Sequence, residues 1–385
     1  MVEVTSVPVQ ESGANAPLSW IIATLAVWYF DIDVSASMVW ALIQGGTIVR
    51  SCLRSLFAAS GCYALACSAI AVAALSAQPA QRDSVQRRAV VYHSGDVEIA
   101  ATLLSPARTR PTTAVVIVHG SGSSTRDNPW TTAYAEALAQ RGIMVLYPDK
   151  RGSGRSAGDW RTSSVQDLAA DVRAALAFLR GQPGIDSAGI GIIGFSQGGY
   201  VASLVAAEDP SVSFTAVISG GTATLRDQIV DELVLEAERR NQPLSGSDSL
   251  RLRELYGRLF AAARDRRGWT AYSHAVTEAR NQGGPLAHAL RTIPLDSTHW
   301  TVTYLARMGD FDPMPYWNRV TSPVLFVFGS ADTQVRVDDS TDRLRASPAR
   351  SHFTIITLGG NGHALFRDDA TAFLVEWLRM RGKDR

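Results

Sequence analysis

From about residue 88 to residue 382, short apolar runs alternate with segments of helical periodicity, and this alternation most limits what the chain can fold into. The pattern predicts eight strands, at residues 89–93, 97–104, 113–118, 143–147, 190–193, 214–218, 324–328 and 353–358. It predicts helices at residues 130–140, 164–179, 199–207 and 370–380. Strands that are buried on both faces and joined by helical crossovers form parallel sheets. We therefore predict an α/β fold: a mostly parallel sheet with helices on both faces and a hairpin of the first two strands at its edge.

The alternation is interrupted between about residues 222 and 319. Residues 225–240 and 249–264 have the spacing of charged amphipathic helices. An aromatic-rich segment follows, with Trp269, Tyr272, His299, Trp300, Tyr304, Phe311, Tyr316 and Trp317. An insertion between two late strands lies above one end of a sheet, so we predict a helical cap here. Most of its aromatic residues should form the core of the cap, and some, such as Trp300 or Tyr304, should line an apolar pocket.

Composition excludes several classes of function. The 385 residues include 37 Lys and Arg against 36 Asp and Glu, so the net charge of +1 provides no positive excess to attract nucleic acid. Cys52, Cys62 and Cys67 are the only cysteines of the chain. A disulfide framework, a zinc–thiolate site and a cysteine nucleophile are therefore excluded from everything that follows them.

An apolar segment precedes the α/β region. Residues 55–77 carry no charge, follow Arg50 and Arg54, and include the small-residue site Ala-Leu-Ser at 74–76. A positive flank, an apolar run and a small-residue cleavage site are typical of a secretory signal peptide. The run is also long enough to span a bilayer as an anchor.

We therefore expect residues 1–80 to be a signal peptide or a membrane anchor. The domain at residues 81–385 would then be exported, periplasmic or extracellular after cleavage, or alternatively anchored to the inner membrane through residues 55–77. A second apolar stretch at 18–30 leaves two further alternatives open, a two-span anchor and a true start at Met38.

A serine flanked by glycines follows the predicted strand at 190–193. The segment Gly-Phe-Ser-Gln-Gly at 194–198 leads directly into the predicted helix at 199–207. Glycines flank such a serine because the neighbouring strand and helix leave no room for side chains two residues on either side. The sharp turn presents the hydroxyl at the carboxyl edge of the sheet, so Ser196 is the candidate nucleophile.

A nucleophilic serine needs a base, and the base needs a carboxylate that fixes its tautomer. Asp332 follows the predicted strand at 324–328, and His363 follows the strand at 353–358. Both therefore lie on loops at the same carboxyl edge as Ser196, and we predict these three residues as the catalytic triad.

Each partner of the serine has competitors. Asp338 and Asp339 are alternatives to Asp332, but they have the positions of the first turn of a helix. His352 is an alternative to His363, but it precedes its strand and so lies at the opposite edge. The other histidines considered are most simply structural, and no pair of them has the spacing of metal ligands beside a carboxylate: His119, His274, His288 and His299.

Acyl transfer also needs hydrogen-bond donors for the developing oxyanion. The strand at 113–118 ends in the small-residue segment His-Gly-Ser-Gly-Ser-Ser at 119–124, whose backbone can approach a substrate closely. We predict the backbone N–H groups of Ser121 and of Gln197, the residue directly after the nucleophile, as the oxyanion hole.

The segment Asp-Lys-Arg-Gly-Ser-Gly at 149–154 completes the set of motifs by which the chain resembles the α/β-hydrolases, in particular the serine esterase and serine aminopeptidase-like group. It is similar to the D-x-R-G-x-G turn of that family. Here Asp149 and Arg151 should brace the loop rather than react. The order Ser, Asp, His is also that of the family. The resemblance covers about residues 88–382 and implies hydrolysis of esters or amides without a cofactor.

We expect a serine hydrolase that cleaves small-molecule carboxylic esters through an acyl-enzyme. A thioesterase with the same triad and a peptidase of the same fold are alternatives. The peptidase would need a cap carboxylate to hold a substrate amine, for which the candidates are Asp227, Asp231, Glu232 and Glu236. A membrane-tethered binding module without turnover is a further alternative, but it would not need serine, aspartate and histidine at three strand ends.

Overall fold

The computed structural model describes residues 84–107, 111–183, 185, 187–365 and 368–383. The expected signal or anchor region at residues 1–80 lies outside them, so its assignment stays a prediction. Within the described residues, no helix combines the length and the hydropathy that crossing a bilayer requires.

Eight strands form one sheet in the order β1-β2-β4-β3-β5-β6-β7-β8. They are β1 (Val85–Ser94), β2 (Val97–Pro106), β3 (Ala114–Val118), β4 (Met144–Pro148), β5 (Ile190–Phe195), β6 (Thr215–Ile218), β7 (Val324–Gly329) and β8 (Phe353–Leu358). β1 and β2 form an antiparallel hairpin, β2 is antiparallel to β4, and all later neighbours are parallel. The predicted mostly parallel sheet with a hairpin at its edge is confirmed, and strand ends differ from the prediction by only a few residues.

Helices connect most of the parallel strands. They are α1 (Pro129–Ala139), α2 (Val165–Arg180), α3 (Gly198–Glu208), α4 (Leu225–Arg239), α5 (Gly246–Asp265), α6 (Trp269–Asn281), α7 (Gly284–Leu290), α8 (Trp300–Met308), α9 (Met314–Trp317), α10 (Val337–Arg345) and α11 (Asp368–Lys383). The start of α2 is stabilised by a capping box, in which the Ser164 side chain accepts from the Asp167 N–H and the Asp167 carboxylate accepts from the Ser164 N–H.

Each face of the sheet packs against its own helices, as the alternating side chains of β3 illustrate. Val116 and Val118 belong to the apolar core shared with α2 and α3. Val115 and Ile117 belong to the core shared with α1 and α11. Burial on both faces explains why the strands are continuous apolar runs rather than alternating ones. The predicted α/β fold with helices on both faces is confirmed.

Helices α4 to α9 occupy the chain between β6 and β7, the interval for which the sequence predicts a cap. Within it, α5 packs against α4, α6 and α8, and α9 packs against α3, the helix that follows β5. Tyr272 and Trp317 are buried, as expected for aromatic residues of a core. Trp300 at the start of α8 differs, because 43% of it is exposed.

Candidate active site

Ser196 lies at the turn between β5 and α3, with its backbone in the left-handed region at a φ of 49°. The turn is so tight that a Cβ added at Gly194 would lie 2.5 Å from the Gly198 carbonyl oxygen, and one added at Gly198 would overlap the Val118 carbonyl. Both glycines are therefore required by close backbone approach. The strained turn lifts the serine side chain out of the strand and towards the carboxyl edge of the sheet.

Ser196, His363 and Asp332 form one hydrogen-bonded chain. His363 Nε2 lies 2.9 Å from Ser196 Oγ, and His363 Nδ1 lies 2.9 Å from one Asp332 carboxylate oxygen and 3.1 Å from the other. A carboxylate only accepts hydrogen bonds, so Nδ1 carries the imidazole proton and Nε2 accepts from the serine hydroxyl. This tautomer is the one in which a histidine can take the serine proton.

The surroundings of Asp332 keep its carboxylate in place. The side chain is inaccessible to solvent, and one oxygen accepts from the backbone N–H groups of Gln334 at 2.8 Å and Val335 at 3.0 Å. Asp338 and Asp339 lie in the first turn of α10, as expected for the competing carboxylates. His352 lies at the amino end of β8, at the edge opposite to Ser196.

The loop after β3 lies against the candidate nucleophile. A Cβ added at Gly120 would lie 3.3 Å from Ser196 Cβ and 3.9 Å from Ser196 Oγ, so the bare backbone borders the serine. Within the part of the chain that the structure describes, the backbone N–H groups of Ser121 and Gln197 have no hydrogen-bond acceptor. Two free N–H groups beside a serine can bind an oxyanion.

Lys150 joins these two segments, although its place in the sequence predicted no role for its side chain. Its Nζ donates to the Gly120 carbonyl oxygen at 2.9 Å and to Gln197 Oε1 at 2.9 Å. Burial of the ammonium group lowers the pKa of Lys150 to about 7. A signal was present in the sequence, because Lys150 and Lys383 are the only lysines among 37 basic residues.

The neighbours of Lys150 in the same turn hold the loop. The Asp149 carboxylate accepts from the backbone N–H groups of Arg126 at 2.7 Å and Arg155 at 2.9 Å. Arg151 forms two hydrogen bonds of 2.6 Å with the Asp171 carboxylate on α2. These contacts are structural, and neither side chain bonds to a residue of the Ser196 hydrogen-bonded chain.

Aromatic side chains from α8 cover the loop after β4. The Trp160 ring contacts the rings of Trp300 and Tyr304, with centroids 5.1 Å and 5.8 Å away. Gln197 Nε2 donates to the Tyr304 hydroxyl oxygen, and burial raises the pKa of Tyr304 to about 12. The cap therefore contacts the residue that directly follows Ser196.

The four cap carboxylates differ in how they are neutralised. Asp227 lies near Arg226 and accepts from Thr224, Asp231 pairs with Arg253 and Arg336, and Glu236 pairs with Arg239 and Arg240. Among the described residues, Glu232 has no hydrogen-bond or ion-pair partner. Burial raises the pKa of Glu232, while the nearby His363 lowers it and Asp332 raises it, so this carboxylate lies within electrostatic reach of the Ser196 site.

His119 is buried at the end of β3, where the loop that carries Ser121 begins, and has two hydrogen bonds. Its Nε2 donates to the Pro148 carbonyl, and its Nδ1 accepts from Ser124 Oγ at 3.0 Å. Burial lowers the pKa of His119 to about 4, so the ring is neutral near pH 7. Among the described residues, no group of three or more His, Cys, Asp or Glu side chains is arranged to hold a metal ion.

A cavity of about 630 Å³ opens between α2 and the last cap helices, and the candidate nucleophile does not line it. Its walls include Gln166, Arg307, Asp312 and Tyr316. The cavity is therefore separate from the Ser196 site.

Comparisons with solved structures agree with the fold. A solved structure of DcsB in complex with its substrate analogue has a TM-score of 0.52 at 17% identity, over 78% of this chain and 99% of that one. The proline iminopeptidase of Mycobacterium smegmatis has a TM-score of 0.51 at 17% identity, over 76% of this chain and 98% of that one. At this identity the likeness shows the α/β-hydrolase fold alone.

Sequence comparisons identify the family to which the chain belongs. The thiohydrolase aneE of Aspergillus aculeatus is 33% identical over 134 residues, which is 34% of this chain and 41% of that protein. The chain therefore matches less than half the length of this curated relative. The family model described as X-Pro dipeptidyl-peptidase (S15 family) matches residues 94–364, well over half of the chain. The chain belongs to this S15 family of hydrolases with the α/β-hydrolase fold.

Proposed function

We propose that the protein hydrolyses carboxylic esters of small molecules through an acyl-enzyme on Ser196. The observation that supports this most directly is the hydrogen-bonded chain from Asp332 through His363 to the Ser196 hydroxyl. In such a chain the histidine takes the serine proton as the oxygen attacks a carbonyl carbon, and the carboxylate stabilises the resulting imidazolium.

The reaction then follows from the surrounding groups. Ser196 Oγ bonds to the ester carbonyl carbon, and the carbonyl oxygen becomes an oxyanion that accepts from the N–H groups of Ser121 and Gln197. His363 returns the proton to the departing alcohol, which leaves the acyl group on Ser196. A water molecule, deprotonated by His363, attacks the acyl carbon; the bond to Ser196 Oγ breaks, His363 returns the proton to that oxygen, and the acid is released.

The choice of esters rests on what the site supplies. An alcohol leaves an ester more readily than an amine leaves an amide, because resonance makes the amide bond stronger and its nitrogen must be protonated before it leaves. The nucleophile, the base and the oxyanion donors therefore suffice for an ester. Beside them lie three uncharged rings, that of Trp160 on the loop after β4 and those of Trp300 and Tyr304 on cap helix α8. Apolar rings suit an acyl chain, because burying each methylene contributes about 0.8 kcal/mol.

The test combines turnover with covalent labelling of the full chain. A series of p-nitrophenyl esters should be hydrolysed, and a fluorophosphonate should label Ser196 alone. Ser196→Ala should lose label and turnover together. Ser203→Ala is the matched control, because Ser203 is a buried serine of α3 whose hydroxyl donates to the Tyr200 carbonyl, and it should keep both. Labelling or turnover that survives Ser196→Ala would contradict the proposal.

A peptidase is the second candidate, and the unpaired Glu232 on α4 favours it. A carboxylate near His363 can bind the amino group of a peptide substrate, and membership of the S15 family agrees with this alternative. Amides of X-Pro dipeptides and p-nitrophenyl esters should be compared for Glu232→Gln and for Glu236→Gln, whose carboxylate is already paired with two arginines. A free amine that raises turnover at least tenfold, with the gain lost only in Glu232→Gln, would replace the esterase assignment.

A thioesterase is tested in the same assay. The thiohydrolase similarity supports including acyl thioesters of the same chain lengths. A kcat/KM for thioesters at least tenfold above that for oxygen esters would make thioesters the preferred substrates of the same triad.

A further inference from the structure

One buried cation bonds both segments that border the candidate nucleophile. Lys150 Nζ donates to the Gly120 carbonyl on the loop after β3 and to the side chain of Gln197 at the start of α3. We infer that Lys150 is a positioning residue of the oxyanion hole, which orients the N–H groups of Ser121 and Gln197 and places a positive charge behind them. The inference rests on the proposed function and deepens it, because it concerns how the same site stabilises its oxyanion.

The first contact orients the Ser121 donor. The Gly120 carbonyl and the Ser121 N–H belong to one planar trans peptide unit, in which the two groups point in opposite directions. A 2.9 Å bond that holds the carbonyl oxygen on the Lys150 side therefore directs the N–H away from it. The Cα of Gly120 borders Ser196, so this peptide unit lies directly beside the candidate nucleophile.

The second contact fixes the residue that carries the other donor. Lysine only donates hydrogen bonds, so the oxygen of the Gln197 amide faces Lys150 and its nitrogen faces Tyr304. The Gln197 side-chain amide is thus held at its oxygen by the turn after β4 and at its nitrogen by cap helix α8. The backbone N–H of Gln197 is the second proposed donor to the oxyanion.

The positive charge of Lys150 contributes to the site in addition to its two hydrogen bonds. The ammonium group is buried, and among the described residues no carboxylate pairs with it. A hydrogen bond from a cation to a carbonyl polarises the peptide unit, which strengthens its N–H as a donor. In a buried site, a positive charge behind the donors also stabilises the negative charge that develops on the substrate oxygen.

Two of the titratable groups around Lys150, His119 and Tyr304, are neutral near pH 7. The titratable and charged groups that face it or share its aromatic neighbour are Asp149, His119, Tyr304 and Arg161. Asp149 is held by Arg126, His119 is neutral because its pKa is about 4, and Tyr304 is neutral because its pKa is about 12. Burial brings the pKa of Lys150 itself to about 7, so its charge is present below that pH and lost above it.

The experiment uses Lys150→Met, Lys150→Gln and Arg151→Met in the full chain, with kcat, KM and pH profiles for one p-nitrophenyl ester. Lys150→Met should lower kcat by between ten- and roughly a thousandfold, the upper limit being the cost of losing one oxyanion donor. Its KM should change much less. The wild-type kcat/KM should fall as pH rises through about 7, and this fall should be absent from Lys150→Met.

Lys150→Gln separates geometry from charge. Its amide can still donate to the Gly120 carbonyl, so kcat should exceed that of Lys150→Met while the fall through pH 7 remains absent. If Lys150→Met does not fold, this variant provides the test. Arg151→Met is the control, because it breaks the pair with Asp171; it should lower the unfolding temperature but keep kcat and the pH profile.

Failure of this inference differs from failure of the proposed function. If Lys150→Met and Lys150→Gln keep the kcat and the pH profile of the wild type while Ser196→Ala is inactive, Lys150 has no role in catalysis and the serine hydrolase stands. If Lys150→Met lowers kcat but keeps the fall through pH 7, the charge argument is wrong. If Ser196→Ala remains active, both fall together.

Discussion

Asp332 and Asp339 lie seven residues apart on opposite sides of the start of α10, and only Asp332 contacts His363. Asp332→Asn should leave the fold intact but lower kcat by roughly 10⁴-fold, because an asparagine no longer holds the imidazole in the productive tautomer. The measurement is kcat on a p-nitrophenyl ester, with circular dichroism to check folding. Asp339→Asn removes an exposed carboxylate and should match the wild type. A larger loss from Asp339→Asn would show that the acid has been assigned to the wrong residue.

His119 should make stability depend on pH. Burial lowers its pKa in the folded state to about 4, against an ordinary value of 6.5. Between these values the unfolded chain binds the proton and the folded chain does not, so stability is lost as pH falls from 6.5 towards 4. The loss is on the order of 3 kcal/mol.

The test compares urea unfolding at pH 6.5 and pH 4. His119→Gln keeps an amide donor for the Pro148 carbonyl but cannot titrate, so its free energy of unfolding should fall less than that of the wild type. His274→Gln changes an exposed histidine and should keep the wild-type dependence. Equal pH dependence in the wild type and His119→Gln would refute this account.

At the scale of elements, the junction of β5 with α3 depends on Gly198. A Cβ there would overlap the Val118 carbonyl, so Gly198→Ala should cost about 1–3 kcal/mol of overpacking and displace Ser196. Gly257→Ala is the control, because Gly257 lies inside α5 with open space around its Cα. That substitution should stabilise the protein by up to about 1 kcal/mol, because alanine favours helix. Denaturant unfolding and kcat together measure both effects.

The cap should set the acyl length that the enzyme accepts. If the rings of α8 line the acyl pocket, kcat/KM should rise about fourfold per methylene until the pocket is full, which corresponds to about 0.8 kcal/mol each. Trp300→Ala should move this cut-off to longer chains. Trp269→Ala is the matched control, because Trp269 packs on Tyr272 in α6, and it should keep the cut-off. If Trp300→Ala keeps the wild-type cut-off, as Trp269→Ala should, α8 does not line the acyl pocket.

The elements were predictable because each has a strong local signal. Strands buried on both faces are uninterrupted apolar runs, and the loops after β5, β7 and β8 can be aligned at one edge of a parallel sheet from the chain order alone. The bonds of Lys150 with Gly120 and Gln197, and of Gln197 with Tyr304, were not predictable. They join residues 30, 47 and 107 positions apart, and no periodicity records which side chains meet across such distances. Among the described residues Glu232 has no partner, and this too is visible only in the structure. It depends on where the arginines that pair with Asp231 and Glu236 lie.

At the scale of the whole molecule, the parallel sheet gathers the candidate site from four distant parts of the sequence. The loops after β3, β5, β7 and β8 bring Ser121, Ser196, Asp332 and His363 to one edge, because neighbouring parallel strands all end there. The antiparallel β1 and β2 contribute no residue to the Ser196 hydrogen-bonded chain. Substitutions on that hairpin should therefore affect stability before they affect turnover.

Residues 55–77 should carry the domain at residues 81–385 across a bacterial-type inner membrane. Arg50 and Arg54 would stay on the cytoplasmic side while residues 55–77 enter the bilayer, since positive flanks orient apolar segments in this way. N-terminal sequencing of protein from the cell envelope should show a chain that starts near Ala77 if the segment is cleaved, or an intact chain in membranes if it is an anchor. Leu65→Arg places a charge in the middle of the run, which costs about 2.5–3.5 kcal/mol for insertion, and should leave the protein in the cytosol. Wild-type protein recovered at full length from the soluble cytosol would show that residues 55–77 do not direct export.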